Sequence, residues 1–447
     1  MDSVFHPLPL ARRTAPLHLF QDPKFDQLTH RACAALAPEG LPLGEILAVC
    51  QRIQDGDAHS WTRAWNEAAT GAESQAIEQH ARGQRGSARQ SYLRASVFYA
   101  LSARFAEPDY PVGEGKWKRA RACFRQAAEL RGGIEPFEIP SQTHPIAGYF
   151  VSAGPAQYPA LVVLGGLDDS AEEMAMRFGD AAADRGWHLV AIEGPGQDAS
   201  FYSRGLGFAP DYERPLRAVV DELTSRPEVD PTRIALAGFG WGGHFALRAG
   251  LHDERLAAVI ADPPVTDLDE YVVAALPESV RADMQRGITQ AGASPPAEVT
   301  MREQNREFAR LESTLMRRLG TRDLRSALVK LKEFDLDKMA ARDLKIRRPL
   351  LMLVSDADGE VVLNQAREIA RGLGEHATLH RFGEEAHASM QIDNLPALHA
   401  VIFDWLAEVG MPVEEELFAV GKRDQSRASR PASAAASSST RLTATPR

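Results

Sequence analysis

The chain has 447 residues, 44% of them apolar and 25% charged, which is enough for one large core plus a second unit and excludes disorder of the body. A formal net charge of −10 argues against a nucleic-acid partner, because such binders need a positive stripe to displace counterions from phosphates. With no signal-peptide core and no run of about twenty apolar residues, the sequence predicts a cytoplasmic protein without membrane contact.

Residues from about 22 to 131 hold no convincing strand, and apolar positions recur at three- and four-residue spacing, as in Trp61-x-x-Ala64-Trp65. A helical domain over residues 1–135 is expected, with Trp61, Trp65, Phe98 and Trp117 in its core or seam. Arg89 and Arg94 stand among apolar neighbours and need an anionic or carbonyl partner, from protein or from substrate. Cys33, Cys50 and Cys123 lie in helical stretches without metal spacing, so they read as buried small apolar residues, and neither metal nor cofactor is expected.

A second domain is expected over 136–420. Phe137-Glu-Ile-Pro and Ile146–Val151 predict two strands, and Ala160–Leu164 is a continuous apolar run, the form of a strand buried on both faces. Trp187–Ile192, Ile234–Phe239, Leu256–Ala261, Pro349–Val354 and Ala377–Phe382 follow, with helical stretches between them. That alternation predicts an α/β fold, a mostly parallel sheet with helices on both faces. Residues 268–344 are charged, helical and strand-free, and predict a capping insertion at the carboxyl edge of the sheet. Residues 421–447 are too poor in apolar side chains to offset ordering entropy and predict a disordered tail.

Chemistry centres on Ile234-Ala-Leu-Ala-Gly-Phe-Gly-Trp-Gly-Gly-His-Phe-Ala-Leu247, a strand, a glycine-dense corner and a helix. This is the form of a nucleophile elbow, G-x-S-x-G, with Gly240 where the serine belongs. Glycine tolerates elbow backbone angles but supplies neither oxygen nor sulfur. The later triad members follow in the order expected of this fold. Asp358, chosen over Asp356 by its D-x-x-V spacing, follows one strand as the acid, and His387 follows the last strand as the base. An oxyanion hole is expected from the backbone amides of Trp241 and of the loop Gly166-Leu167. Glu193, Tyr202 and His244 are pocket candidates, although packing explains His244 equally well. Ser170, Ser203 and Ser389 are weaker stand-in nucleophiles, since none lies on the elbow.

Together, Trp61-x-x-x-Trp65, Tyr92-Leu-Arg-Ala-Ser96, Gly165-Gly-Leu-Asp168, Glu193-Gly-Pro-Gly-Gln197, the elbow, Asp358 and His387 resemble one family over residues 50–410. It comprises the α/β hydrolases with an N-terminal helical domain, among them the fermentation-respiration switch protein, 2,6-dihydropseudooxynicotine hydrolase and fungal melanin-pathway polyketide-shortening hydrolases. The resemblance implies an α/β-hydrolase fold, a site between the helical domain and the sheet, a homodimer and, by its better-defined members, cleavage of a carbon–carbon bond beside a ketone. The catalytic serine does not carry over, because Gly240 takes its place.

Three readings stay open. One is an enzyme without a nucleophile, in which His387 and Asp358 provide acid–base chemistry on a small ketone in carbon–carbon cleavage, an aldol-type step or cyclisation. The second is a hydrolase disabled or altered by a serine-to-glycine change. The third is a binding protein for a ligand or partner.

Overall fold

The computed structural model describes residues 18–105, 110–139, 146–197, 200–202, 205–285, 296–336, 346–383 and 394–413. Five helices come first: α1 (Pro23–Leu36), α2 (Leu43–Cys50), α3 (Ala58–Ala81), α4 (Arg85–Ala103) and α5 (Tyr110–Arg131). Asp22 caps α1 by accepting from the Lys24 and Phe25 amides, and Asp57 caps α3 in the same way, so two acidic residues set where these helices begin. Trp61 and Trp65 are fully buried and stack through Phe25 and Phe98 into one aromatic core. The Trp61 indole N–H is satisfied by the Leu101 carbonyl at 2.8 Å, which lets a polar edge enter an apolar interior.

The sheet contains β1 (Ile134–Ile139), β2 (Ile146–Val151), β3 (Tyr158–Leu164), β4 (His188–Glu193), β5 (Val229–Phe239), β6 (Leu256–Asp262), β7 (Leu350–Ser355) and β8 (Ala377–Phe382). Their order is β1-β2-β4-β3-β5-β6-β7-β8; β1 pairs antiparallel with β2, β2 with β4, and all other pairs are parallel. Between these strands lie α6 (Ala171–Ala183), α7 (Glu213–Ser225), α8 (Trp241–His252), α14 (Glu360–Leu373) and, after β8, α15 (Leu395–Glu408). The segment between β6 and β7 carries α9 (Leu268–Ala275), α10 (Glu278–Gln285), α11 (Pro296–Gln304), α12 (Arg306–Leu319) and α13 (Leu324–Leu331). This is the α/β-hydrolase architecture that the sequence predicts.

Alternation along each buried strand divides the interior into two cores. Leu161, Val163, Ala235 and Ala237 join the core that includes the N-terminal helices, α6 and α15. Val162, Leu164, Leu236 and Val259 face the other core, with α7, α8 and the helices between β6 and β7. The N-terminal helices therefore share a continuous interior with one face of the sheet. On the far side, α12 reaches back to the start of α1, where Arg310 donates to both Asp22 carboxylate oxygens at 2.7 and 2.8 Å, and to the loop after β4, where Arg318 donates to the Gly196 carbonyl at 2.6 Å.

Strand order reverses between β3 and β5, because the chain leaves β3 for β4 on one side and returns to β5 on the other. Loops after β3 and β5 consequently diverge around a crevice at their carboxyl ends, where ligands bind in open parallel sheets. Both glycine-rich segments singled out in the sequence emerge there.

Candidate active site

β5 ends at Phe239 and α8 begins at Trp241, leaving Gly240 alone as the corner with φ 59° and ψ −127°. Its amide donates to the Asp262 carbonyl at 2.6 Å, tying the corner to the end of β6. The neighbouring glycines are demanded by packing. A β-carbon at Gly238 would lie 1.9 Å from the Gly242 carbonyl oxygen, one at Gly242 2.5 Å from the Leu164 carbonyl, and one at Gly243 2.3 Å from the Pro263 carbonyl. Gly240 differs: a β-carbon there meets only Gly166, at 3.4 Å from its Cα, an ordinary van der Waals contact. A side chain fits at this corner, and only the backbone angle resists it.

Facing the corner is the loop Gly165–Asp169. Gly166 donates its own amide to Asp169 Oδ2 at 2.7 Å, which removes it from the donors expected of an oxyanion hole. The Gln197 side-chain amide holds the Gly165 and Gly166 carbonyls at 2.6 and 3.2 Å. Leu167 N–H meets no acceptor among the described residues. Trp241 is the first residue of α8, so its amide has no intrahelical acceptor. Two backbone donors, Trp241 and Leu167, therefore belong to the segments that meet at Gly240.

Asp358 ends a single helical turn after β7 and is buried; its Oδ2 accepts from the Ser355 amide at 2.6 Å. Burial pushes its carboxyl up to about 7, against the opposing effect of that hydrogen bond. Asp262, the last residue of β6, is buried, its Oδ2 meets no hydrogen-bond donor among the described residues, and burial together with the Asp358 charge drives it well above the usual range. Tyr271 on α9 lies near both carboxyls, and burial followed by their two charges pushes its phenol up. His387 lies outside the described residues.

These acids impose a pH dependence. A raised carboxyl favours the folded state while it is neutral, so stability is fully present below about pH 4 and is lost as pH rises through about 7. Unfolding free energy from urea titrations is expected to fall by a few kcal/mol between about pH 4 and 7, and Asp358→Asn is expected to flatten much of that slope. An unchanged slope in the variant would refute the assignment.

A family model described as esterase FrsA-like matches residues 54–279, just over half of the chain. The chain belongs to the FrsA-like esterase family. Among curated relatives, alpha/beta hydrolase gkaG of Penicillium citrinum is 32% identical over 268 residues, spanning 57% of this chain and 62% of that protein. Alpha/beta hydrolase psoB of Aspergillus fumigatus is 32% identical over 283 residues, spanning 59% and 63%. The match thus covers less than two thirds of these relatives' length. Two solved structures share the fold. The 2,6-dihydroxy-pseudo-oxynicotine hydrolase has a TM-score of 0.64 and 22% identity, covering 84% of this chain and 95% of that one. AbyA5 has a TM-score of 0.59 and 19% identity, covering 90% and 99%.

In this FrsA-like chain the three pocket candidates have structural partners. Glu193 is fully buried, pairs with Arg121 of α5 at 3.2 Å and accepts from the Ser200 amide, so it joins the helical region to the end of β4. Burial raises its carboxyl despite Arg121. Tyr202 is half-buried and stacks on Trp117, with ring centroids 5.9 Å apart. Buried His244 bonds through Nδ1 to the Val265 carbonyl at 2.9 Å, and burial pushes it down to about 4, so it is a neutral packing residue. Arg89 and Arg94 pair with Glu39 and Glu45, which answers the partner question in favour of protein.

Other nucleophiles lose ground in this FrsA-like chain. Ser170 caps α6 by accepting from the Glu173 amide at 3.3 Å, while Ser203 and Ser389 lie outside the described residues. Burial pushes the thiols of Cys33, Cys50 and Cys123 up to about 11, 12 and 12, far from thiolate formation at neutral pH. Sequence reasoning missed Asp169, Gln197 and Asp262. Usable signals existed for Asp262, a carboxylate directly after the apolar run Leu256–Ala261, and for Gln197, the end of the Glu193-Gly-Pro-Gly-Gln197 motif.

Among the described residues no helix is long and apolar enough to cross a membrane.

Proposed function

We propose that this chain is an α/β-hydrolase-fold enzyme that acts without a side-chain nucleophile on a ketone-bearing small molecule. One observation carries the proposal: the elbow keeps its strained corner and has room for a side chain at Gly240, yet presents none. His387, oriented by Asp358, is the general base, and the Trp241 and Leu167 amides receive the developing oxyanion. The ketone in the substrate is inferred from the family resemblance and from reactivity, since a simple amide is too inert for attack without covalent help.

For a β-diketone the sequence of events balances. His387 takes a proton from water, the water oxygen bonds to one carbonyl carbon, and the resulting alkoxide lies in the oxyanion hole. Collapse re-forms the carbonyl and breaks the adjacent carbon–carbon bond. The electron pair leaves as an enolate, and protonated His387 returns the proton to its carbon. General-base catalysis contributes about 10²–10⁴-fold and one oxyanion donor about 10²–10³-fold. An aldol-type step or a cyclisation uses the same base and the same hole, with a carbon acid in place of water.

The test is turnover of a β-diketone panel by the unmodified chain and by Gly240→Ser, read by product mass. Cleavage by the unmodified chain, rising with pH through about 7 as Asp358 ionises, is the expected result. Cleavage or ester hydrolysis by Gly240→Ser alone would replace this proposal with a hydrolase disabled at position 240.

A further inference from the structure

We propose that Arg31, on the N-terminal helix α1, is a positioning residue for the oxyanion loop and acts on it through Asp169. The inference rests on Leu167 and Trp241 being the oxyanion donors.

Asp169 is a two-sided connector. Its Oδ2 takes the Gly166 amide at 2.7 Å, and its Oδ1 takes Arg31 Nη2 at 2.5 Å. The same guanidinium nitrogen donates to the Asp168 backbone carbonyl at 2.9 Å and to Glu173 Oε2 at 2.8 Å. Arg31 therefore grips the loop twice, once directly at Asp168 and once through the carboxylate that fixes Gly166. Leu167 lies between those two fixed points. Lys24, about two turns earlier on the same face of α1, adds a contact between its Nζ and Asp168 Oδ2 at 2.5 Å.

From the opposite side, Gln197 holds the Gly165 and Gly166 carbonyls. The Gly166 carbonyl shares a peptide group with the Leu167 N–H, and with the next peptides on either side held at the Gly166 amide and the Asp168 carbonyl, that N–H has little freedom to rotate away from the corner at Gly240. An oxyanion donor works by being aimed before charge develops, so rotational restraint is the property that matters.

Stability is a poor reason for this arrangement. The Arg31, Asp169 and Glu173 side chains are 7%, 9% and 10% exposed, and buried ion pairs of this kind are often no better than apolar packing of the same volume. Burial opposes the Arg31 charge, and Asp169, Glu173 and Asp168 together overcome it, so the guanidinium stays charged. The network's endpoints are backbone groups of the oxyanion loop. The helical region thereby becomes part of the catalytic apparatus and not only a cover for it.

The experiment uses the full chain carrying Gly240→Ser, in which fluorophosphonate phosphonylation reports transition-state stabilisation by the hole. Maximal labelling rate and half-saturating probe concentration are measured with and without Arg31→Ala, together with thermal unfolding. The expected result is a maximal rate lower by about tenfold or more, a half-saturating concentration within about threefold, and partial recovery of rate on adding millimolar guanidinium. Parent-like maximal rates in a folded Arg31→Ala protein overturn the inference, as does a change confined to the half-saturating concentration. Should Arg31→Ala fail to fold, Arg31→Met fills a similar buried volume without any donor and is judged by the same two outcomes. If the Gly240→Ser parent itself never labels, the oxyanion assignment fails and takes the inference with it.

Discussion

Replacing His387 by alanine is expected to lower turnover of any β-diketone the chain accepts by about 10²–10⁴-fold, with little change in KM. In the proposed mechanism the transferred proton has one place to go, the His387 imidazole. A serine hydrolase stripped of its base retains an oxygen that can still attack slowly; the mechanism proposed for this chain leaves only water and the oxyanion donors. Asp358→Asn is expected to lose less, because the imidazole survives but loses its orienting carboxylate. The check is steady-state kinetics across about pH 5 to 9. An unchanged kcat in His387→Ala would remove acid–base chemistry from the account, whatever the elbow looks like.

pH links this chemistry to stability. Asp358 favours its neutral form in the fold up to about 7, whereas orienting a histidine requires the ionised form. The working state that the proposed mechanism requires is therefore the one that the fold tolerates less well. Asp262 increases the tension, because its buried carboxyl lies near Asp358 and is driven well above the usual range. Destabilised ionisable groups of this kind concentrate where chemistry is done.

The frame of the molecule was legible because buried parallel strands read as unbroken apolar runs. Ala160–Leu164 and Pro349–Val354 needed no partner information to be recognised, and they appear as the cores of β3 and β7. β5 is longer than its apolar run suggests. It starts at Val229, which pairs with Tyr158 before a register irregularity, and Asp230-Pro231 made that stretch look like a turn. The elbow was legible because glycine spacing reports close approach directly, and the near-contacts at Gly238, Gly242 and Gly243 are its physical content.

What the sequence hid was pairing over distance. Glu193 ends a strand at the ligand-binding edge, and nothing local reveals that Arg121, 72 residues earlier, pairs with it. Arg31 and Asp169 are 138 residues apart, so their contact has no periodic or spacing signature. Gly166 was read as an oxyanion donor alongside Leu167, because a glycine pair does not show which amide is already taken. Asp169, three residues on, takes it.

The most direct test is intact-mass labelling by a fluorophosphonate, comparing the unmodified chain with Gly240→Ser and with Gly240→Ser/His387→Ala. In the serine variant Oγ forms the O–P bond, fluoride leaves with the P–F pair, and His387 takes the hydroxyl proton. The corner angle of φ 59° makes serine there cost about 1–3 kcal/mol, while the nearest contact of its β-carbon, 3.4 Å, leaves the fold in place. The account predicts no adduct on the unmodified chain, a single adduct on Gly240→Ser, and its loss when His387 is also changed. An adduct on the unmodified chain would contradict it, since another residue would then be the nucleophile.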